Sequence, residues 1–314
     1  MNLHRELERY LGLRRNLGYD LGTAERVLRR FIEFAEGERA EYITTALFLR
    51  WQETFGQARQ QTWAARLGMI RLFAQWLNGL DPAHEVPPRG LIPGRTRRGT
   101  PYIYGEEEIA AIVTAAAELP SAYGLRGLTY STLFGLIAAT GLRISEALGL
   151  DASDVDLLDG VLHIRRGKLG KERLIPLAES VTAQLRGYIA ERDRLLGHKP
   201  EPFFVDCDGK RLGDCTARYN FAQACQRIGL RDAQRYCRHG RGPRIHDLRH
   251  SFAARTIINW YRTGKDPARE MIKLTTYLGH TCPEHTYWYI EAVPELLELA
   301  SQRVVASKNG EVRP

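Results

Sequence analysis

The sequence predicts a mainly α-helical protein with one small β-sheet, in two domains joined by a basic linker. Three observations carry that expectation. Apolar residues recur at helical spacing through most of the chain. One pair of segments, VLHIRR and ERLIPL, places β-branched residues at alternate positions on either side of the turn GKLGK, a β-hairpin pattern. Between residues 80 and 100, four prolines and four arginines break any helical pattern.

At 314 residues the chain is long enough for two domains with their own cores. Its 44% apolar and 26% charged residues are those of a globular protein. No run of eighteen apolar residues occurs, so no membrane span is expected. The start, MNLHRELERY, is charged and lacks the apolar core of a secretory signal, so a cytoplasmic protein is expected. A net charge of +8 favours a polyanionic partner, because each neutralised phosphate releases counterions. The five cysteines are odd in number and include no C-x-x-C pair. Reduced thiols are expected, with neither a disulfide framework nor a zinc site.

Residues 1–79 read as a bundle of short helices. Val27, Leu28, Phe31, Ile32 and Ala35 share one face of the second helix. Thr44 or Thr45 can cap the third. Trp63, Leu67, Ile70, Ala74 and Leu77 line the fourth, with Arg59, Arg66 and Arg71 off that stripe. Those arginines suit either a solvated face or a DNA-facing one. Residues 80–100 read as a basic, semi-extended linker. Residues 101–292 read as the second domain. Acids crowd the first turn of EEEIAAIVTAAAEL, as the helix dipole favours. LTYSTLFGLIAATG reads as a buried helix ended by Gly141. The hairpin follows, and helices resume near Ser180. Residues 293–314 form an amphipathic helix and tail, with Leu296, Leu297, Leu299 and Val304 as its stripe. That helix can dock on its own domain or on a neighbouring subunit of a ring.

Six residues along the second domain could act together: Arg143, Lys168, His246, Arg249, His280 and Tyr289. In-line attack on a phosphodiester builds charge on the non-bridging oxygens, and fixed cations must meet it. Arginine suits best, because its planar fork bonds two oxygens and keeps its charge. Arg143 follows a glycine turn at a helix start. His246 and Arg249 are three residues apart and share a face if HDLRH is helical. Arg143 can also simply pair with Glu146. Lys168 sits in the hairpin turn, where it can reach a phosphate and protonate a leaving oxygen, with Lys171 as rival. Tyr289 is the candidate nucleophile and Tyr287 its rival. A phenol of pKa about 10 needs nearby cations, and a histidine such as His246 or His280 to take its proton.

These motifs resemble the tyrosine recombinases, also called the phage integrase family. The shared pattern is ATGLR ending at Arg143, GKLGKER with Lys168, HDLR with His246 and Arg249, LGH ending at His280, and Tyr289 nine residues later. The resemblance implies a core-binding, SAM-like N-terminal domain that contacts DNA. It implies that the two arginines and two histidines bind the scissile phosphate and that Lys168 is the leaving-group acid. Tyr289 would form a 3′-phosphotyrosyl link, with no metal and no nucleotide cofactor. It further implies a site-specific recombinase acting on double-stranded DNA as a homo- or hetero-tetramer. The tail TYWYIEAVPELLELA is similar to recombinases of transposable elements, including those encoded in trios. Two other readings share these motifs: a silent architectural DNA-binding partner, and a topoisomerase of type IB that nicks and closes one strand. The segment between HDLRH and YLGH is longer than the family pattern, and an extra loop is expected at Thr263–Pro267.

Overall fold

The computed structural model describes residues 2–54, 58–94, 99–121, 123–165, 172–232 and 242–308. The chain divides into two compact units, Met1–Gly99 and Thr100–Pro314. As expected, it is mainly helical with one small sheet.

The first unit contains α1 (Leu3–Asn16), α2 (Gly22–Gly37), α3 (Thr45–Thr54) and α4 (Gln60–Asn78). The stripes read from the sequence form its core: Leu28, Phe31, Ile32 and Ala35 of α2, and Trp63, Leu67, Ile70, Ala74 and Leu77 of α4, are all buried. Thr44 caps α3, its hydroxyl accepting the Leu47 N–H at 3.0 Å. The first part of the expected linker is bound to this unit. His84 is buried and accepts the Ile43 N–H on Nδ1 at 3.0 Å. The Glu85 carboxylate accepts the N–H and hydroxyl of Thr45. Ile92 joins the core, and the Arg71 guanidinium donates to the Pro87 carbonyl. The Arg66 guanidinium lies 4.5 Å from the Trp63 ring. Arg95, Arg97 and Arg98 lie outside the described residues.

The second unit opens with α5 (Glu106–Ala117) and α6 (Leu125–Thr140). Gly127 permits their close approach, since a Cβ there would fall 2.1 Å from the Ala117 carbonyl oxygen. A short α7 (Ile144–Leu148) leads to a sheet of β1 (Val155–Asp156), β2 (Val161–Ile164) and β3 (Arg173–Pro176). All neighbours are antiparallel in the order β1-β2-β3, and the hairpin register pairs Val161 with Pro176 and Ile164 with Arg173. The hairpin was legible in the sequence, whereas the two-residue β1 is too short to show alternation. Then follow α8 (Glu179–Leu196), α9 (Asp214–Arg227), α10 (Ile245–Arg262), α11 (Pro267–Leu278), α12 (Glu284–Ala292) and α13 (Pro294–Lys308).

Two apolar clusters hold this unit. One joins α5–α9 to the sheet, and the other joins α10–α13. The extra loop is present between α10 and α11, with Gly264 at φ 70° and the Asp266 side chain capping α11. In the single chain the last helix packs against α10. Leu296 is fully buried, and Glu295 accepts from Arg262 of α10 at 2.8 Å. Among the described residues, Cys207, Cys215, Cys225 and Cys282 are free thiols, and no helix is long and apolar enough to cross a membrane.

Candidate active site

The site forms where the two clusters of the second unit meet. The helix α6 ends at Gly141, in the left-handed region at φ 65°. A side chain there is doubly excluded, since a Cβ would also lie 2.5 Å from the Phe252 ring. The chain then turns so that Arg143 caps α7. Its Nη1 donates to Glu146 Oε1 at 2.7 Å and its Nη2 to the Gly279 carbonyl at 2.9 Å. Arg143 thus pairs with Glu146 while its other terminal nitrogen reaches the residue before His280.

Arg249, on the first turns of α10, is 2% exposed. Its Nη1 donates to the Gly141 carbonyl and its Nη2 to the Leu278 carbonyl, each at 2.6 Å. Burial and the neighbouring charge of Arg143 lower its pKa to about 10, so it remains a cation at neutral pH. Asp247 fixes the start of α10 by accepting the Arg244 N–H at 2.8 Å.

A third guanidinium belongs to the set. Arg173, at the start of β3, donates to both oxygens of Glu146, at 3.1 and 2.8 Å, and to the Tyr277 carbonyl at 2.8 Å. Burial alone would raise the Glu146 pKa, but hydrogen bonds from Arg173 and from Arg143 overcome it and hold the carboxyl at about 2. Two guanidiniums therefore share one carboxylate, and Arg249 adds a third positive charge nearby. The local charge is thus positive, as a site for an anion requires. Arg173 carries no mark in the sequence, being one hairpin residue among several, and Glu146 stands out there only as a partner for Arg143. The buried Glu146 carboxylate, bonded through both oxygens by Arg173, is what singles them out.

The histidines divide the rest of the site. Burial and Arg249 push His246 down to about 4, so it is neutral at pH 7. Its ring meets that of His250 edge-on at 4.7 Å. His280 follows the left-handed cap Gly279, and its Nδ1 lies 2.8 Å from the Thr286 hydroxyl. Thr286 in turn lies 2.9 Å from the Thr275 hydroxyl, and both threonines are buried.

Tyr289 is 1% exposed on α12, whereas Tyr287 is 43% exposed. The Tyr289 ring lies 6.5 Å from that of His280, nearly parallel to it, and 5.5 Å from Trp288. The Tyr289 phenol oxygen is 3.0 Å from His250 Nδ1. The sequence reading passed over His250, although i, i+4 spacing from His246 sets the two on one helix face. Arg143, His246, Arg249, His280 and Tyr289 are brought to one locality. Lys168 and Lys171 lie outside the described residues. Among the described residues no group of three His, Cys, Asp or Glu side chains could hold a metal ion.

Clustered arginines with a buried phenol nearby fit a class of proteins that act on phosphate through a tyrosine. Comparison with known proteins narrows it. A profile of the phage integrase family matches residues 104–295. A Sinorhizobium fredii protein named as an integrase/recombinase, y4rB, is 39% identical over 95% of each chain. Tyrosine recombinase XerC of Corynebacterium glutamicum is 29% identical over 73% of this chain and 67% of its own. The crystal structure of a lambda integrase dimer bound to a COC′ core site shares the fold. It has a TM-score of 0.62 at 17% identity and covers 92% of this chain and 95% of its own. The chain belongs to the phage integrase family, and it is a tyrosine-type site-specific recombinase.

Proposed function

We propose that this recombinase cuts and rejoins DNA through a covalent bond between Tyr289 and a 3′ phosphate. The observation that carries the reading is the buried Tyr289 phenol within electrostatic reach of the Arg249 cation, in a site where guanidiniums outnumber carboxylates. Arg143 and Arg249 bind the non-bridging oxygens of the scissile phosphate, with His246 and His280 as further donors. The Tyr289 oxygen attacks phosphorus in line as the bond to the 5′ oxygen breaks. Lys168 gives that oxygen its proton, leaving a 5′ hydroxyl. The reverse attack by a 5′ hydroxyl reseals the strand, and a hydroxyl from a second duplex completes exchange.

The helical residues 1–79 add DNA contacts, with Arg59, Arg66 and Arg71 as candidates and residues 80–100 as the connection. Residues 101–292 carry the chemistry. The assembly we assign is a homo- or hetero-tetramer on DNA, and the substrate the terminus of a mobile element. The tail TYWYIEAVPELLELA, similar to that of recombinases of transposable elements, supports that substrate.

The test uses duplexes selected from a random-sequence pool by binding to the wild-type protein, then nicked to trap the cleaved state. With EDTA present, wild type and Tyr287→Phe should each leave a denaturation-resistant protein–DNA adduct, and Tyr289→Phe none. An adduct that survives in Tyr289→Phe overturns the assignment. Salt-sensitive binding without any wild-type adduct would favour the architectural partner instead.

A further inference from the structure

We infer that His250 takes the proton of the Tyr289 phenol during cleavage and returns it during religation. The inference rests on Tyr289 being the nucleophile. It concerns a residue outside the six that the motifs mark.

The geometry singles out His250. A phenol that attacks phosphorus must lose its one hydrogen, and the group to receive it must lie within hydrogen-bond reach. His250 Nδ1 is 3.0 Å from the Tyr289 oxygen. The ring is set by its packing: His246 meets it edge-on at 4.7 Å and Trp288 at 5.6 Å. Trp288 adjoins Tyr289 on α12, so the helix that carries the phenol also braces the imidazole.

The two other histidines are placed for different work. His280 directs Nδ1 to Thr286, and its ring lies nearly parallel to that of Tyr289 rather than end-on to the phenol. His246 meets the ring of His250. With its pKa held near 4 by burial and Arg249, it is a weak proton acceptor at neutral pH. It suits the role of a neutral donor to the phosphate.

The step balances without a co-reactant. His250 begins neutral, with its hydrogen on Nε2 and the Nδ1 lone pair facing the phenol. As the tyrosine oxygen bonds to phosphorus, its proton passes to Nδ1 and His250 becomes a cation. The 5′ oxygen leaves with a proton from the acid assigned to Lys168. On religation the 5′ hydroxyl attacks and gives its proton back to the now neutral Lys168 amine, while His250 returns its own to the departing tyrosine oxygen.

The first arm of the test needs no DNA. In protein labelled with 15N histidine, the His250 Nδ1 signal, assigned by its loss in His250→Gln, should be that of an unprotonated, pyridine-type nitrogen. A protonated Nδ1 overturns the inference, because the phenol would then accept rather than donate. The second arm is single-turnover cleavage on the nicked, selected duplexes. His250→Gln can hold a hydrogen bond but cannot take a proton, so cleavage should fall by roughly 100-fold or more, the usual contribution of a general base. His250→Ala should fall similarly and regain rate with added imidazole. Thermal melting and DNA binding of both variants confirm that the fold is kept. Cleavage by His250→Gln near the wild-type rate means that His250 only positions the phenol, and the inference fails alone. An adduct persisting in Tyr289→Phe removes the nucleophile assignment and this inference together.

Discussion

His246 and Glu146 bind protons less readily in the folded chain than in the unfolded one. The His246 imidazole falls from 6.5 to about 4, first through burial and then through Arg249. Between those values the unfolded chain holds a proton that the folded chain refuses, so stability rises with pH across this window. The difference amounts to roughly 3 kcal/mol. Glu146 falls from 4.5 to about 2, because hydrogen bonds from Arg173 and Arg143 outweigh the opposing effect of burial. Its contribution is present above pH 4.5 and is lost as pH drops toward 2. Urea unfolding at a series of pH values should therefore show stability declining from about pH 6.5 downward. His246→Gln should flatten the upper part of that slope. Glu146→Gln should flatten the lower part and lower stability at neutral pH by about 3 kcal/mol, since it leaves two partly buried guanidiniums without the carboxylate they share. An unchanged slope in either variant would contradict the electrostatics described for that residue.

The elements of the site meet at helix ends. The last carbonyls of a helix lack partners within it and carry the negative end of its dipole. Here guanidiniums fill them. Arg249 bonds the carbonyl of Gly141, just past α6, and that of Leu278, the last residue of α11. Arg143 and Arg173 bond those of Gly279 and Tyr277. The cations are thus held in place before any anion arrives, which is what stabilising a developing charge requires. A second link joins α11 to α12. The buried hydroxyls of Thr275 and Thr286 run to His280, and Thr286 lies one turn before Tyr289. Thr275 Oγ1 lies 2.8 Å from the Met271 carbonyl and 2.9 Å from Thr286 Oγ1, so its single hydrogen is shared between the helix backbone and the link to His280. Thr286→Val should lower stability by about 1–2 kcal/mol, the cost of a buried hydrogen bond left half-made. It should also slow single-turnover cleavage with little change in DNA affinity, and Thr286→Ser should restore the rate. Equal cleavage by Thr286→Val would separate His280 from this link.

Across the whole molecule, the net charge of +8 sets an expectation for binding. Phosphate contacts release counterions, so the logarithm of affinity should fall linearly with that of salt, by about 0.9 for each phosphate neutralised. Fluorescence anisotropy with labelled duplex from roughly 50 to 200 mM salt measures the slope, and a multi-phosphate interface predicts a loss of about 10³-fold or more. A flat response would argue against a backbone-dominated interface. The two units have separate apolar cores, and Ile92 places the stretch expected as a linker inside the first of them. Proline and glycine marked the end of the helical pattern there, but they did not forbid packing.

The apolar periods of α2, α4 and α6, the hairpin alternation and the glycine at the end of α6 were all legible, because each is a local preference written at short range. Arg143, His246, Arg249, His280 and Tyr289 were legible for another reason: their spacing matches a pattern that chemistry makes recognisable. The sequence by itself therefore determined the fold class, the family and most of the candidate site. Which partner each charge takes was decided only in three dimensions. Arg173 meets Glu146 across 27 positions, and Arg143 meets Gly279 across 136. His250 looks like one more residue of a helix start until α12 brings a phenol 3.0 Å from its ring nitrogen. Burial and long-range approach set these contacts and the proton affinities that follow from them, and no local pattern encodes either.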